Sequence, residues 1–178
     1  MKKSAKIFSL LIFFLMICSC KNEKTLQEYL VESQEKTGFI AVDVPTSFLQ
    51  LTSEDVSDDV KITLESIRKI SVVALPVKGN EAMYDEEKAK LKSIFKDNKK
   101  YKTLMSMKVK EVHATIFYKG NSVSIDEAII FGYGDKAGVG VARLLGNKMN
   151  PAKIIEMMST VKFDTENLNL EQFSAIFN

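Results

Sequence analysis

Apolar and polar positions along the chain change period several times, and each change marks an element. Residues 21–37 are charged and polar, with Leu26, Tyr29 and Leu30 at helical spacing and no Pro or Gly before Gly38, which predicts a tether that becomes a short helix at about 25–35. Phe39-Ile40-Ala41-Val42 reads as a strand, ended near Pro45, whose missing N–H disfavours a sheet interior. Between Ser53 and Lys69 the residues Val56, Val60, Leu64 and Ile67 draw one helical stripe, with Ser53 or Asp55 able to cap its start. Ile70 to Val77 is β-branched and apolar, as a buried strand would be, and Pro76 and Gly79-Asn80 end it.

Residues 81–100 form the clearest predicted helix. Asp85-Glu86-Glu87 lie in its first turns and Lys96, Lys99 and Lys100 in its last, the order the helix dipole favours, while Tyr84, Leu91, Ile94 and Phe95 supply a narrow apolar face to set against a sheet. Four strand-like runs follow: Tyr101 to Val109, Glu111 to Tyr118, Ser122 to Tyr133 and Gly138 to Leu145. Lys119-Gly120-Asn121 joins the second to the third as a hairpin turn, and the glycine-rich stretch 132–138 joins the third to the fourth, which predicts an antiparallel meander. Val112, Ala114, Ile116 and Tyr118 alternate with His113, Thr115 and Phe117, so one face of it packs on helices. Asn150-Pro151 starts a last main helix, Asn as cap and Pro at the first helical position, with Ile154, Ile155 and Met158 on its buried side. Leu168, Leu170, Phe173, Ile176 and Phe177 make the tail too apolar to leave in water, and a short docked helix is expected near 170–177. The order of elements predicts an α+β class: a mostly antiparallel sheet of about five to six strands with helices packed mainly on one face.

The first twenty residues change the picture of where this domain works. Lys2, Lys3 and Lys6 precede an apolar run from Ile7 to Ile17, and Cys18-Ser19 precede Cys20, the three zones of a secretory leader. The run falls short of the roughly 20 apolar residues that a membrane-spanning helix needs. Ile17-Cys18-Ser19-Cys20 resembles the lipobox of bacterial lipoproteins, in which the last cysteine is lipidated and becomes the first residue after cleavage. The expected organisation is therefore a lipoprotein signal peptide over 1–19, a lipidated N-terminus, tether and short helix over 20–37, and a single α+β domain over 38–178. Its expected place is the cell envelope, anchored to a membrane through lipid on Cys20, with the outer membrane favoured.

Charge and cysteine content then remove whole classes of function. Loss of 1–19 changes 25 basic against 23 acidic residues to 22 against 23, so the chain is nearly neutral and nucleic acid is not an expected partner. Both cysteines lie at or before residue 20, which leaves the domain without thiol or disulfide and dependent on its core.

The spacing Leu26-x-x-Tyr29 ahead of Gly38-Phe39-Ile40-x-x-Asp43-x-Pro45, then Tyr101-x-x-Leu104-Met105, and last Leu144-x-Gly146-Asn147-x-Met149-x-Pro151 resembles the DUF4252 family of uncharacterised lipoproteins from Bacteroidetes. The resemblance implies an envelope lipoprotein and names no catalytic residue.

Candidate chemistry is sparse. His113 is the sole histidine: without cysteine a zinc site would need it plus three carboxylates, a Ser-His-Asp set would need this same residue, and its place in an alternating strand with Thr115 and Phe117 reads as an ordinary sheet-face position. Gly132, Gly134, Gly138, Gly140 and Gly146 match neither dinucleotide nor phosphate-loop spacing and read as turn and bulge positions. Asp58-Asp59 and Asp85-Glu86-Glu87 read as solvated helix starts, the lysines at 96, 99, 100, 102, 108 and 110 as a solvated face, and Met105, Met107, Met149, Met157 and Met158 as core filler. No catalytic residue, metal ligand or cofactor is expected, and the pattern says nothing of oligomeric state. The expected function is a non-enzymatic binding or protein-interaction module with an envelope partner. The alternatives are a binder of a small apolar or lipidic ligand, which needs a cavity by the sheet, and a hydrolase built on carboxylates alone.

Overall fold

The computed structural model describes residues 24–44, 49–51, 58–96 and 99–163. The leader with Cys18 and Cys20, the start of the 53–69 helix, and the apolar tail with its expected helix near 170–177 lie outside them.

The chain begins with α1 (Leu26–Gln34), whose start is fixed by a capping box: Glu28 N–H donates to Thr25 Oγ1 at 3.2 Å and Thr25 N–H to Glu28 Oε2 at 2.7 Å. Strands β1 (Ile40–Val44) and β2 (Leu49–Leu51), helix α2 (Asp58–Ser66), strand β3 (Ile67–Pro76) and helix α3 (Glu81–Lys96) follow. The second half is a run of long strands, β4 (Lys102–Val109), β5 (Val112–Gly120), β6 (Ile125–Gly134) and β7 (Gly138–Met149), closed by α4 (Pro151–Thr160) and a short β8 (Val161–Phe163). Asn150 caps α4 as its sequence predicts, its side-chain oxygen accepting from Ala152 N–H at 3.0 Å.

Six strands form one antiparallel sheet in the order β1-β3-β7-β6-β5-β4, and β2 pairs with β8 in a small second ribbon. The α+β class and the meander from β4 to β7 are those read from the pattern. The helices, however, divide between the faces. Val73 of β3, Val141 of β7 and Phe131 of β6 are register partners and share a core with Leu26, Tyr29 and Leu30 of α1 and Leu91, Ile94 and Phe95 of α3. Ile70, Leu144 and Ala128, an odd number of positions away, point to the opposite face and pack with Val60 of α2 and Ile154 of α4. Among the described residues, two stripes of helix cover the first face, while α2 and α4 meet only one end of the second.

Residues 67–69 change element, from the expected helix to a strand. Ile67 continues the stripe of Val60 and Leu64, but the helix stops at Ser66 and Ile67 opens β3, buried opposite Gly146 with a bulge before Lys69. A β-branched side chain that the sheet can bury gains more there than in a last helical turn. In α3, Glu87 is a correction to the reading of the acidic cluster as solvated. It faces the sheet side and is only 4% exposed, whereas Asp85 and Glu86 are exposed.

Candidate functional site

The polar groups buried on the first face form two clamps that hold α1. Glu87 Oε1 accepts from Lys36 Nζ at 3.3 Å, just past the end of α1, and from Lys90 Nζ at 2.9 Å. Burial pushes its carboxyl up, but the Lys90 hydrogen bond, the charges of Lys36 and Lys90, and the nearby Tyr29 hydroxyl outweigh that and hold it below the ordinary glutamate value. The Tyr29 phenol is pushed well up by its own burial and by the Glu87 charge. In the second clamp Glu127 on β6 accepts from Arg143 Nε on β7 at 2.7 Å and from the Tyr101 hydroxyl at 3.3 Å, and Arg143 reaches on to Gln27 of α1. Burial, then the Glu127 charge, raises Tyr101 to about 12. A phenol and a carboxylate shifted this way stay in their resting protonation states near neutral pH, which suits a fastening and not proton transfer.

The second face carries a different feature. Register places Ile40, Ala74, Gly140, Gly132, Ala114 and Met107 side by side, one per strand, straight across the sheet. The neighbouring row, Val42, Val72, Ala142, Ile130, Ile116 and Met105, is taller. The small row is thus the floor of a trough running perpendicular to the strands, walled by Val72 and Ile130 on one side and by Val112 and the turn at Lys136 and Ala137 on the other, with a volume of about 490 Å3. Among the described residues its lining contains no Asp or Glu, and Tyr133 and Lys136 are the only ones there with polar side chains. The size lies within the ~300–1,000 Å3 of small-molecule sites, and the lining is apolar as theirs is.

Gly132 shows that the trough is more than loose packing. It sits inside β6, two residues before its end, where glycine forgoes side-chain packing and costs backbone entropy, and a Cβ added to it would meet, among the described residues, no heavy atom nearer than the His113 carbonyl oxygen at 3.7 Å. None of its neighbours requires a glycine. Gly140 beside it is tighter, with the Val73 carbonyl oxygen at 3.0 Å and Ala74 Cβ at 3.1 Å.

The residues singled out in the sequence fall mostly outside the trough. His113 points to the first face and stacks on Tyr133 at 5.1 Å between ring centroids, with Lys92 lying 4.2 Å from the Tyr133 ring centre on α3's side. Asp58 and Asp59 are exposed, and so are all six lysines from 96 to 110, two of them, Lys102 and Lys108, on the outer strand β4, where charge discourages edge-to-edge pairing. Met149 is core, and Met105 and Met107 are half-buried beside the trough. Of the glycines, 138 turns the chain and 146 lies at the irregular end of β7, while 132 and 140 are trough floor. Among the described residues no three His, Cys, Asp or Glu side chains gather as a metal site, and no helix is long and apolar enough to cross a membrane. The trough itself was missed because its signal, Ala or Gly at matching positions of four strands, exists only once the register is known.

Among the described residues the chain is an antiparallel α+β domain with one sheet face covered by helices and one apolar face covered at one end. Comparison with known families makes this specific: residues 29–157 match the model described as "Domain of unknown function (DUF4252)", and the chain belongs to that family. No curated protein and no solved structure matches it.

Proposed function

We infer that the chain is a lipid-anchored protein of the cell envelope, held to a membrane through Cys20, and that it acts as a non-enzymatic interaction module whose trough receives an apolar segment of an envelope partner. The observation that carries this is that, among the described residues, space is left above Gly132 and the trough lining holds no acid. Specific docking needs an exposed apolar surface that the protein's own packing leaves unfilled, and contiguous apolar patches on proteins mark such surfaces. Catalysis by a pair of carboxylates would need two acids across a cleft within about 10 Å, and the lining of the trough supplies neither. A second reading, an acyl chain as ligand, is favoured by the near absence of hydrogen-bonding side chains in the lining.

Filling the trough tests both. Ala114→Phe and Ala142→Phe project into it from half-buried positions. Each should abolish binding of a fluorescent fatty acid and of apolar peptides while the unfolding midpoint stays near wild type. Unchanged binding in both variants refutes the trough as the site. For the anchor, Cys20→Ser should remove metabolic labelling by palmitate and release the protein from membranes, and retained label refutes the assignment.

A further inference from the structure

We propose that residues 164–178 of this same chain occupy the trough and that any external partner must displace them. The proposal rests on the trough being a docking surface, as inferred above. Three observations carry it. The chain leaves its last described elements on the correct side: Ile154 of α4 packs into the core of the second face, and β8 follows α4 directly and ends at Phe163. The remaining stretch is chemically suited, because five of its fifteen residues are Leu168, Leu170, Phe173, Ile176 and Phe177, an apolar set to match an apolar lining. It also fits by length. The helix its pattern predicts near 170–177 is about 12 Å long, and the floor from Ala74 to Ala114 crosses four strands, roughly 14 Å.

Burying those five side chains over Ala74, Gly140, Gly132 and Ala114 would give the tail its apolar partner, and it would explain why a strand-interior position with free space above it holds glycine. A partner's apolar segment would then bind by exchange, with the tail setting its threshold.

The test uses the full chain with Cys18→Ser and Cys20→Ser, so that engineered thiols are the only ones. Ala142→Cys is paired in turn with cysteine at 170, 173, 176 or 177 and oxidised at low protein concentration. At least one pair should close an intramolecular disulfide, whereas Ser106→Cys, exposed on the opposite sheet face, should close none with the same tail positions. Closure that grows with protein concentration and yields dimers would identify a second copy as the occupant and overturn the proposal. So would equal closure with positions 142 and 106. As an independent readout, deleting 164–178 should speed alkylation of the single cysteine at 142 at least tenfold and tighten fatty-acid binding to a similar degree. Equal rates and affinities with and without the tail overturn its docking, but leave the trough reading intact provided Ala114→Phe still blocks the probe. Probe binding that Ala114→Phe does not alter in the truncated chain removes the trough reading itself.

Discussion

Replacing Gly132 by alanine should stabilise the domain when the tail is absent and lose that advantage when it is present. The added methyl meets nothing nearer than 3.7 Å among the described atoms, ordinary van der Waals contact, and Gly132 does not have the positive φ that would strain alanine. With no steric cost, the change acts through the unfolded chain, whose backbone freedom it reduces, and the expected gain is about 0.4–1 kcal/mol. For a chain of this size that raises Tm by roughly 1–4 °C. Two neighbours calibrate the measurement. Gly140→Ala presses on the Val73 carbonyl oxygen at 3.0 Å and should gain little or lose slightly. Gly138→Ala must adopt φ near 127° with its Cβ overlapping the Leu75 carbonyl oxygen, a backbone atom held in the β3–β7 ladder, and should be the most destabilising of the three.

Urea denaturation of the full chain and of the chain ending at Phe163 gives the sign in each background. A docked tail lies over Gly132, so the methyl that is free in the truncated chain displaces a packed side chain in the full one, and the difference between backgrounds is a coupling energy between the tail and the trough floor. An equal gain in both backgrounds refutes contact between tail and Gly132. A loss in the truncated chain refutes the claim that the space above Gly132 is empty.

Arg143→Met should cost about 3–5 kcal/mol in urea denaturation, because it leaves Glu127 buried beside Tyr101 without its cation, and adding Glu127→Leu should recover most of the loss. Additive losses in the double variant would show that the two side chains do not act as a pair. Glu87 and Asp43 both have carboxyl groups held below their ordinary values in the fold, so the stability they contribute is present above the unfolded pKa, near 4.5 and 3.8, and is lost as pH falls through the lower folded values. Unfolding curves from pH 6 downward should therefore show an acid limb that Glu87→Gln makes shallower, and an unaltered limb would assign it elsewhere. Thr25→Ala removes the cap of α1 and Asn150→Ala that of α4, each at about 1 kcal/mol of stability by chemical denaturation. A loss below a few tenths would show that the caps are idle.

The meander and the two capped helices were legible because their signals are local. Asn150-Pro151 is a cap followed by a tolerated proline, and the alternation through 112–118 states both faces of a strand without knowing its neighbours. The boundary at Ile67 was not legible, since its spacing from Val60 and Leu64 is helical and only the ladder to Gly146 makes it a strand. Glu87 failed for a related reason. Three consecutive acids in an early helical turn look solvated, and one of the two lysines that partner Glu87 comes from position 36, just past α1 and far away in sequence. Gly132 and Gly140 belonged to a cluster that reads as turns, and their role as floor follows from pairing across β5, β6, β7 and β3, a relation between distant segments that no single window contains.

The division of labour between the faces bears on which occupant the trough takes. On the first face α1 is fixed to the sheet by Leu26, Tyr29 and Leu30 and by both charge clamps, so whatever is attached to its N-terminus is attached rigidly to that side. Cys20 precedes Leu26 by six residues, a leash of at most about 20 Å when fully extended. A lipid on Cys20, as proposed above, would therefore tether the molecule on the α1 side, and the trough opens on the opposite side of the sheet. An acyl chain from the same bilayer would reach it only if the domain turned over within that leash, whereas the chain's own tail or a protein segment projecting into the aqueous space would not require the turn. The proposed anchor would thus favour a protein occupant by geometry, and the chain's own tail, which follows β8 directly, is the candidate that needs no second molecule.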